Sequence, residues 1–118
     1  RKPGLRVVAE AGDGNHALEQ YRLHKPDVVL MDLRLPGIGG VETTQAILKQ
    51  FPEARIIILT TYDCDEDIYR AIRSGAKSYL LKDTSDDEIA ATIRAVFAGQ
   101  QSLPATVAEQ LAGAQQRA

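Results

Sequence analysis

Apolar residues fall along this chain in two alternating rhythms. Short continuous runs rich in Val, Ile and Leu alternate with longer segments in which apolar residues recur every three or four positions. The short runs are Leu5–Ala9, Val28–Met31, Arg55–Thr61 and Ser78–Lys82. Runs of this length bounded by turn residues predict strands, and Val28–Met31 predicts one buried on both faces. The spaced segments predict helices. Ala17, Leu18, Tyr21 and Leu23 mark one, with Asp13 or Asn15 as its cap and Lys25-Pro26 as its stop. Val41, Thr44, Ile47, Leu48 and Phe51 mark a second, stopped by Pro52. Ile68, Ala71 and Ile72 mark a third, with Gly75 as its C-terminal cap. Ser85 and Glu88 form a capping box ahead of Ile89, Ile93, Val96 and Phe97, and Gly99 ends that helix. Residues 104–114 predict a weaker helix of linker character.

Strand and helix thus alternate four times. That order predicts an α/β fold, a parallel sheet with helices on both faces.

The second, third and fourth strands end in Asp32, Thr60-Thr61 and Lys82. In a parallel sheet all carboxyl ends share one edge, so an acid, a hydroxyl and an ammonium are expected to meet there. A carboxylate can attack phosphorus and become an acyl phosphate. An ammonium suits one phosphoryl oxygen and a hydroxyl another. A divalent cation ordinarily completes such a site with oxygen ligands.

Composition narrows the alternatives. The chain has 118 residues, 44% apolar and 25% charged, with net charge −2. That is ordinary globular composition, with no global basic field for nucleic acid or anionic membrane. No apolar run approaches the roughly 20 residues of a membrane span. Cys64, the single cysteine, excludes an internal disulfide and fits a reducing compartment. His16 and His24 lack ligand-like spacing. Asp63, Asp65, Glu66 and Asp67 suit the positive end of a helix dipole better than a metal. Gly12-Asp13-Gly14 is no dinucleotide fingerprint.

Several motifs together resemble a known family. They are Glu10-Ala11-Gly12-Asp13-Gly14, Val29-Leu30-Met31-Asp32-Leu33-Arg34-Leu35-Pro36-Gly37, Gly39-Gly40, Ile58-Leu59-Thr60-Thr61, and Gly75-Ala76-Lys77-Ser78-Tyr79-Leu80-Leu81-Lys82-Asp83. Over Leu5–Gly99 the sequence resembles the receiver domain of two-component response regulators, of the LuxR/NarL type. The resemblance implies a flavodoxin-like fold and a cytoplasmic phosphoacceptor switch rather than an enzyme. It implies Asp32 as phosphoacceptor, with a sensor histidine kinase as donor. Thr60 would be the switch hydroxyl, Tyr79 the switch aromatic and Lys82 the phosphate-contacting lysine. Asp32 and the Arg34 backbone carbonyl would hold Mg²⁺. The expected organisation is a receiver over residues 1–99 and a linker helix over 100–118. That linker would lead to a helix-turn-helix domain that contacts DNA, with homodimerisation as output.

The sequence departs from the family at one place. Receivers begin with a strand ending in two acids, followed by a helix, and nothing before Leu5 supplies them. About 20–25 residues, a typical strand plus helix, are expected to be absent. The remaining strands could close up, another chain could lend the element, or it lies outside this sequence; the last is the expectation here. The alternative function is a phosphorylation-independent oligomerisation module, because the acidic pair is missing. An aspartyl-phosphate phosphatase is disfavoured, since the position two after Asp32 is Arg34 and not a second acid.

Overall fold

A computed structural model of the chain describes residues 5, 7–34, 39–61 and 66–100. The described elements run α1 (Gly14–His24), β1 (Val29–Asp32), α2 (Gly39–Gln50), β2 (Ile56–Thr60), α3 (Glu66–Ser74), β3 (Ser78–Leu81) and α4 (Asp86–Phe97). The strands form one parallel sheet in the order β1-β2-β3. Asp32 pairs with Leu59, and Thr60 with Leu81.

The helix boundaries follow local chemistry. The Asp13 carboxylate accepts the His16 N–H at 2.8 Å and caps α1. Lys25 closes α1 in the left-handed region at φ 42°. Ser85 Oγ accepts the Glu88 N–H at 3.2 Å and caps α4. Gly75, at φ +123°, follows α3, where a side chain would also meet Leu48.

Alternation along the strands divides the core. Met31, Ile56, Ile58 and Tyr79 pack with Tyr21, Ile47, Ile68 and Ala71 of α1, α2 and α3. Ile57 and Leu80 face the other way, onto Val96, with Ile89 and Ile93 beside them. The fold is therefore a flavodoxin-like arrangement, helices on both faces of a parallel sheet, in which no described residue supplies the first strand and helix.

That absence corrects two expectations. The predicted strand over Leu5–Ala9 is not a strand at any described residue. Val7 and Val8 have extended propensity, but a strand exists through its ladder, and among the described residues no strand pairs with them. Both are exposed, Val7 at 51%. Nor is β1 buried on both faces. Among the described strands it pairs with β2 alone, and Leu30 is 42% exposed. Val29 and Leu33 donate their N–H groups to Arg55 and Leu59 of the β2 segment. Alternate residues of a parallel strand turn their peptide groups to alternate sides. Leu30 and Asp32 therefore direct theirs away from β2. Beside this edge runs a groove of about 1030 Å³, lined by Val8, Leu30, Ile89, Ile93 and Phe97 among others. The strands have not closed up to fill it.

Candidate functional site

The β1 run delivers Asp32 to the carboxyl edge of the sheet, and the chain turns at Leu33-Arg34. That turn is held from two sides. Arg34 donates its backbone N–H to Asp32 Oδ1 at 2.9 Å, a local bond that short acids favour in turns. Gly40, in the first turn of α2, donates its N–H to the Leu33 carbonyl at 3.1 Å. A Cβ on Gly40 would stand 2.4 Å from the Asp32 carbonyl oxygen and 2.7 Å from Leu33 Cα. Only glycine lets α2 start this close to the Asp32–Leu33 peptide.

Lys82 arrives from the opposite end of the sheet. Strand β3 closes at Leu81, so Lys82 stands in the following turn rather than in the strand. Its backbone N–H donates to the Thr60 carbonyl at 2.8 Å. Its ammonium donates to Asp32 Oδ2 at 2.7 Å. Each carboxylate oxygen of Asp32 thus has its own donor. Partial burial pushes the Asp32 carboxyl up. The hydrogen bond from Lys82, the Arg34 N–H and the charges of both cations outweigh it, and the group is held below its ordinary value. Asp32 is accordingly an anion at neutral pH, still 36% exposed in its side chain and open to an incoming group.

Thr60 is the last residue of β2 and is buried. Thr61, beside it, is exposed. Tyr79, on the outer strand β3, pairs with Ile58. It is 7% exposed, a core aromatic. Its ring belongs to the cluster that includes Ile68 and Ala71 of α3.

Among the described residues no group of three or more His, Cys, Asp or Glu could hold a metal. Asp32 and Arg34 supply one carboxylate and one carbonyl. His16 contacts Gln20 on the exposed face of α1. Asp63, Cys64, Asp65 and the segment 101–118 lie outside the described residues. No helix among the described residues is long and apolar enough to cross a membrane.

One feature of the site was not read from the sequence. The Arg34 guanidinium lies 3.4 Å from Asp67 Oδ2, on α3. The two are 33 positions apart, and nothing local signals their meeting.

The response regulator receiver domain family matches residues 1–94. The chain belongs to that family. Receivers are phosphoacceptor switches rather than classical enzymes. They work with sensor histidine kinases in two-component systems and are typically cytoplasmic signalling modules. This receiver is 41% identical over 111 residues to the response regulator GacA of Pseudomonas viridiflava, covering 92% of this chain and 51% of that protein. It is 42% identical over 97 residues to the oxygen regulatory protein NreC of Staphylococcus haemolyticus, covering 81% and 45%. It spans about half the length of these curated relatives. Among solved structures it resembles a LuxR-family two-component response regulator from Aurantimonas sp. SI85-9A1. That match has a TM-score of 0.85 and 37% identity, covering 98% of this chain and 82% of the other. It also resembles the signal receiver domain of the putative response regulator NarL from Mycobacterium tuberculosis. There the TM-score is 0.74 and the identity 34%, with 80% and 77% covered.

Proposed function

We propose that this receiver accepts a phosphoryl group on Asp32 from the phosphohistidine of a sensor kinase. The observation that carries this reading is the Asp32 carboxylate, ionised and open, with Lys82 Nζ at 2.7 Å from Oδ2. An Asp32 oxygen attacks phosphorus, a P–O bond forms, and the P–N bond to the donor imidazole breaks. The imidazole nitrogen leaves with the electron pair. Little covalent work falls to the protein, so positioning and charge neutralisation dominate. Lys82 neutralises one phosphoryl oxygen. Thr60, tied to Lys82 through its own carbonyl, supplies a hydroxyl to another. Movement of Thr60 toward the phosphoryl group leaves room for Tyr79 to repack against α3, which makes the face of α3, β3 and α4 the output surface.

The output is altered homodimerisation and DNA binding through a helix-turn-helix domain beyond a linker over residues 100–118, with the receiver over 1–99. Similarity to the LuxR-family response regulator from Aurantimonas supports this organisation. A cytoplasmic location fits the same reading.

Mg²⁺ is the cation this family implies. It takes six oxygens in near-octahedral geometry. Asp32 and the Arg34 carbonyl are two such donors, and the described residues add no acidic cluster. The donors present do not fit a complete Mg²⁺ site; the remaining acids would come with the strand that would fill the groove beside β1. This shortfall favours a second reading, a phosphorylation-independent oligomerisation module. The test is phosphoryl transfer from a phosphorylated kinase or acetyl phosphate with Mg²⁺ titrated. Labelling lost in Asp32→Asn supports the first reading. No labelling, with a concentration-dependent dimer, supports the second.

A further inference from the structure

Arg34 stands between two carboxylates. Its backbone N–H serves Asp32 Oδ1 at 2.9 Å, while its guanidinium lies 3.4 Å from Asp67 Oδ2. Asp67 sits in the first turn of α3. Its other oxygen accepts from Arg70 Nη1 at 3.0 Å, and Arg70 Nη2 reaches Glu42 Oε2 of α2 at 3.2 Å. A chain of alternating charges therefore ties the turn behind Asp32 to the first turns of α3 and α2. The Arg34 charge is also felt at Asp32, where it helps to keep the carboxyl ionised.

We propose that Arg34 is shared between Asp32 and Asp67, so that added negative charge at Asp32 draws the guanidinium off Asp67 and loosens the start of α3. Its physiological trigger rests on the phosphoacceptor reading above; the coupling itself does not. A phosphoryl group brings a charge of about −1.5 to −2 and three strong acceptor oxygens. A guanidinium stays charged and matches phosphate oxygens in a paired geometry. The Arg34–Asp67 pair is exposed, 60% and 30% at its two side chains. Exposed pairs are weak, so a nearby change of charge can tip them. Asp67 keeps Arg70 when Arg34 leaves, so α3 loosens at one anchor and does not unfold. This route from Asp32 to α3 runs along the surface, separate from Thr60 and Tyr79 in the interior.

Hydrogen exchange of the α3 amides at residues 70–74 tests the coupling without phosphorylation. The proteins compared are wild type, Asp32→Asn, Arg34→Met, Asp67→Asn, and each of the latter two combined with Asp32→Asn. Removing the Asp32 charge commits Arg34 to Asp67, so Asp32→Asn slows α3 exchange by about twofold to fivefold, the range of one exposed ion pair. That slowing disappears in the Arg34→Met and Asp67→Asn backgrounds, while α1 exchange is unchanged throughout. An equal effect of Asp32→Asn with and without Arg34, or no effect in the wild-type background, overturns the coupling. Phosphoryl labelling is read separately. Failure to label removes the trigger and the phosphoacceptor reading, but leaves the exchange result to decide the coupling.

Discussion

Lys82 Nζ lies 2.7 Å from Asp32 Oδ2, although 50 positions separate the two residues in the chain. Parallel pairing of β1, β2 and β3 brings them together, because it sets every strand's carboxyl end on one edge. Lys82→Met removes the donor and a charge at once. The Asp32 carboxyl then rises toward its ordinary value, and phosphoryl labelling slows by about a hundredfold to a thousandfold, as for loss of one preorganised donor. Lys82→Arg keeps the charge but not the compact ammonium, and falls between. Labelling time courses on the three proteins check the order.

Acid should weaken the fold partly through Asp32. Its folded carboxyl lies below the ordinary value of 3.8, so below that pH the unfolded chain binds the proton more readily. The stabilisation is present above about pH 4 and is lost as pH falls through the lowered folded value. Urea midpoints of wild type and Asp32→Asn, followed from pH 7 to pH 3, report it. The wild type loses stability relative to the variant as the solution is acidified.

Gly40→Ala places a methyl group against the Asp32–Leu33 peptide, where backbone cannot yield as a flexible side chain can. The expected cost is about 1–3 kcal/mol, the usual range for overpacking. Labelling of Asp32 should fall further than stability alone explains, because the displaced peptide carries the acceptor. Gly99→Ala, a glycine with nothing within 4 Å of its would-be Cβ, is the comparison. It costs stability through its positive φ but leaves the labelling rate intact.

Ser85 accepts the Glu88 N–H and opens α4. Ser85→Ala leaves that donor without its side-chain acceptor and costs about 1 kcal/mol. Ser85→Asp restores an acceptor and adds a charge that the helix dipole favours. Thermal unfolding of the three proteins should place the aspartate variant near wild type.

The legible parts of this chain are those governed by local periodicity. The spacing of Val41, Thr44 and Ile47 is enough to place the buried face of α2, and Ser85 with Glu88 the start of α4. Asp32 and Lys82 could be paired in advance only because parallel strands leave few choices for where their ends lie. What escaped is tertiary. Val7 and Val8 carry the propensity of a strand, but propensity cannot supply a neighbour. Leu30 reads as core from its composition and is exposed because β1 has an open edge. Asp67 looks like a helix-dipole acid, and its contact with Arg34 depends on how α3 docks.

The location of the phosphoryl group after transfer from a phosphohistidine donor is the deciding measurement. Reductive trapping of the acyl phosphate followed by peptide mass mapping identifies the residue. One modified position is expected, Asp32, with the signal lost in Asp32→Asn. A stable label elsewhere in the chain, or undiminished labelling of Asp32→Asn, would contradict it.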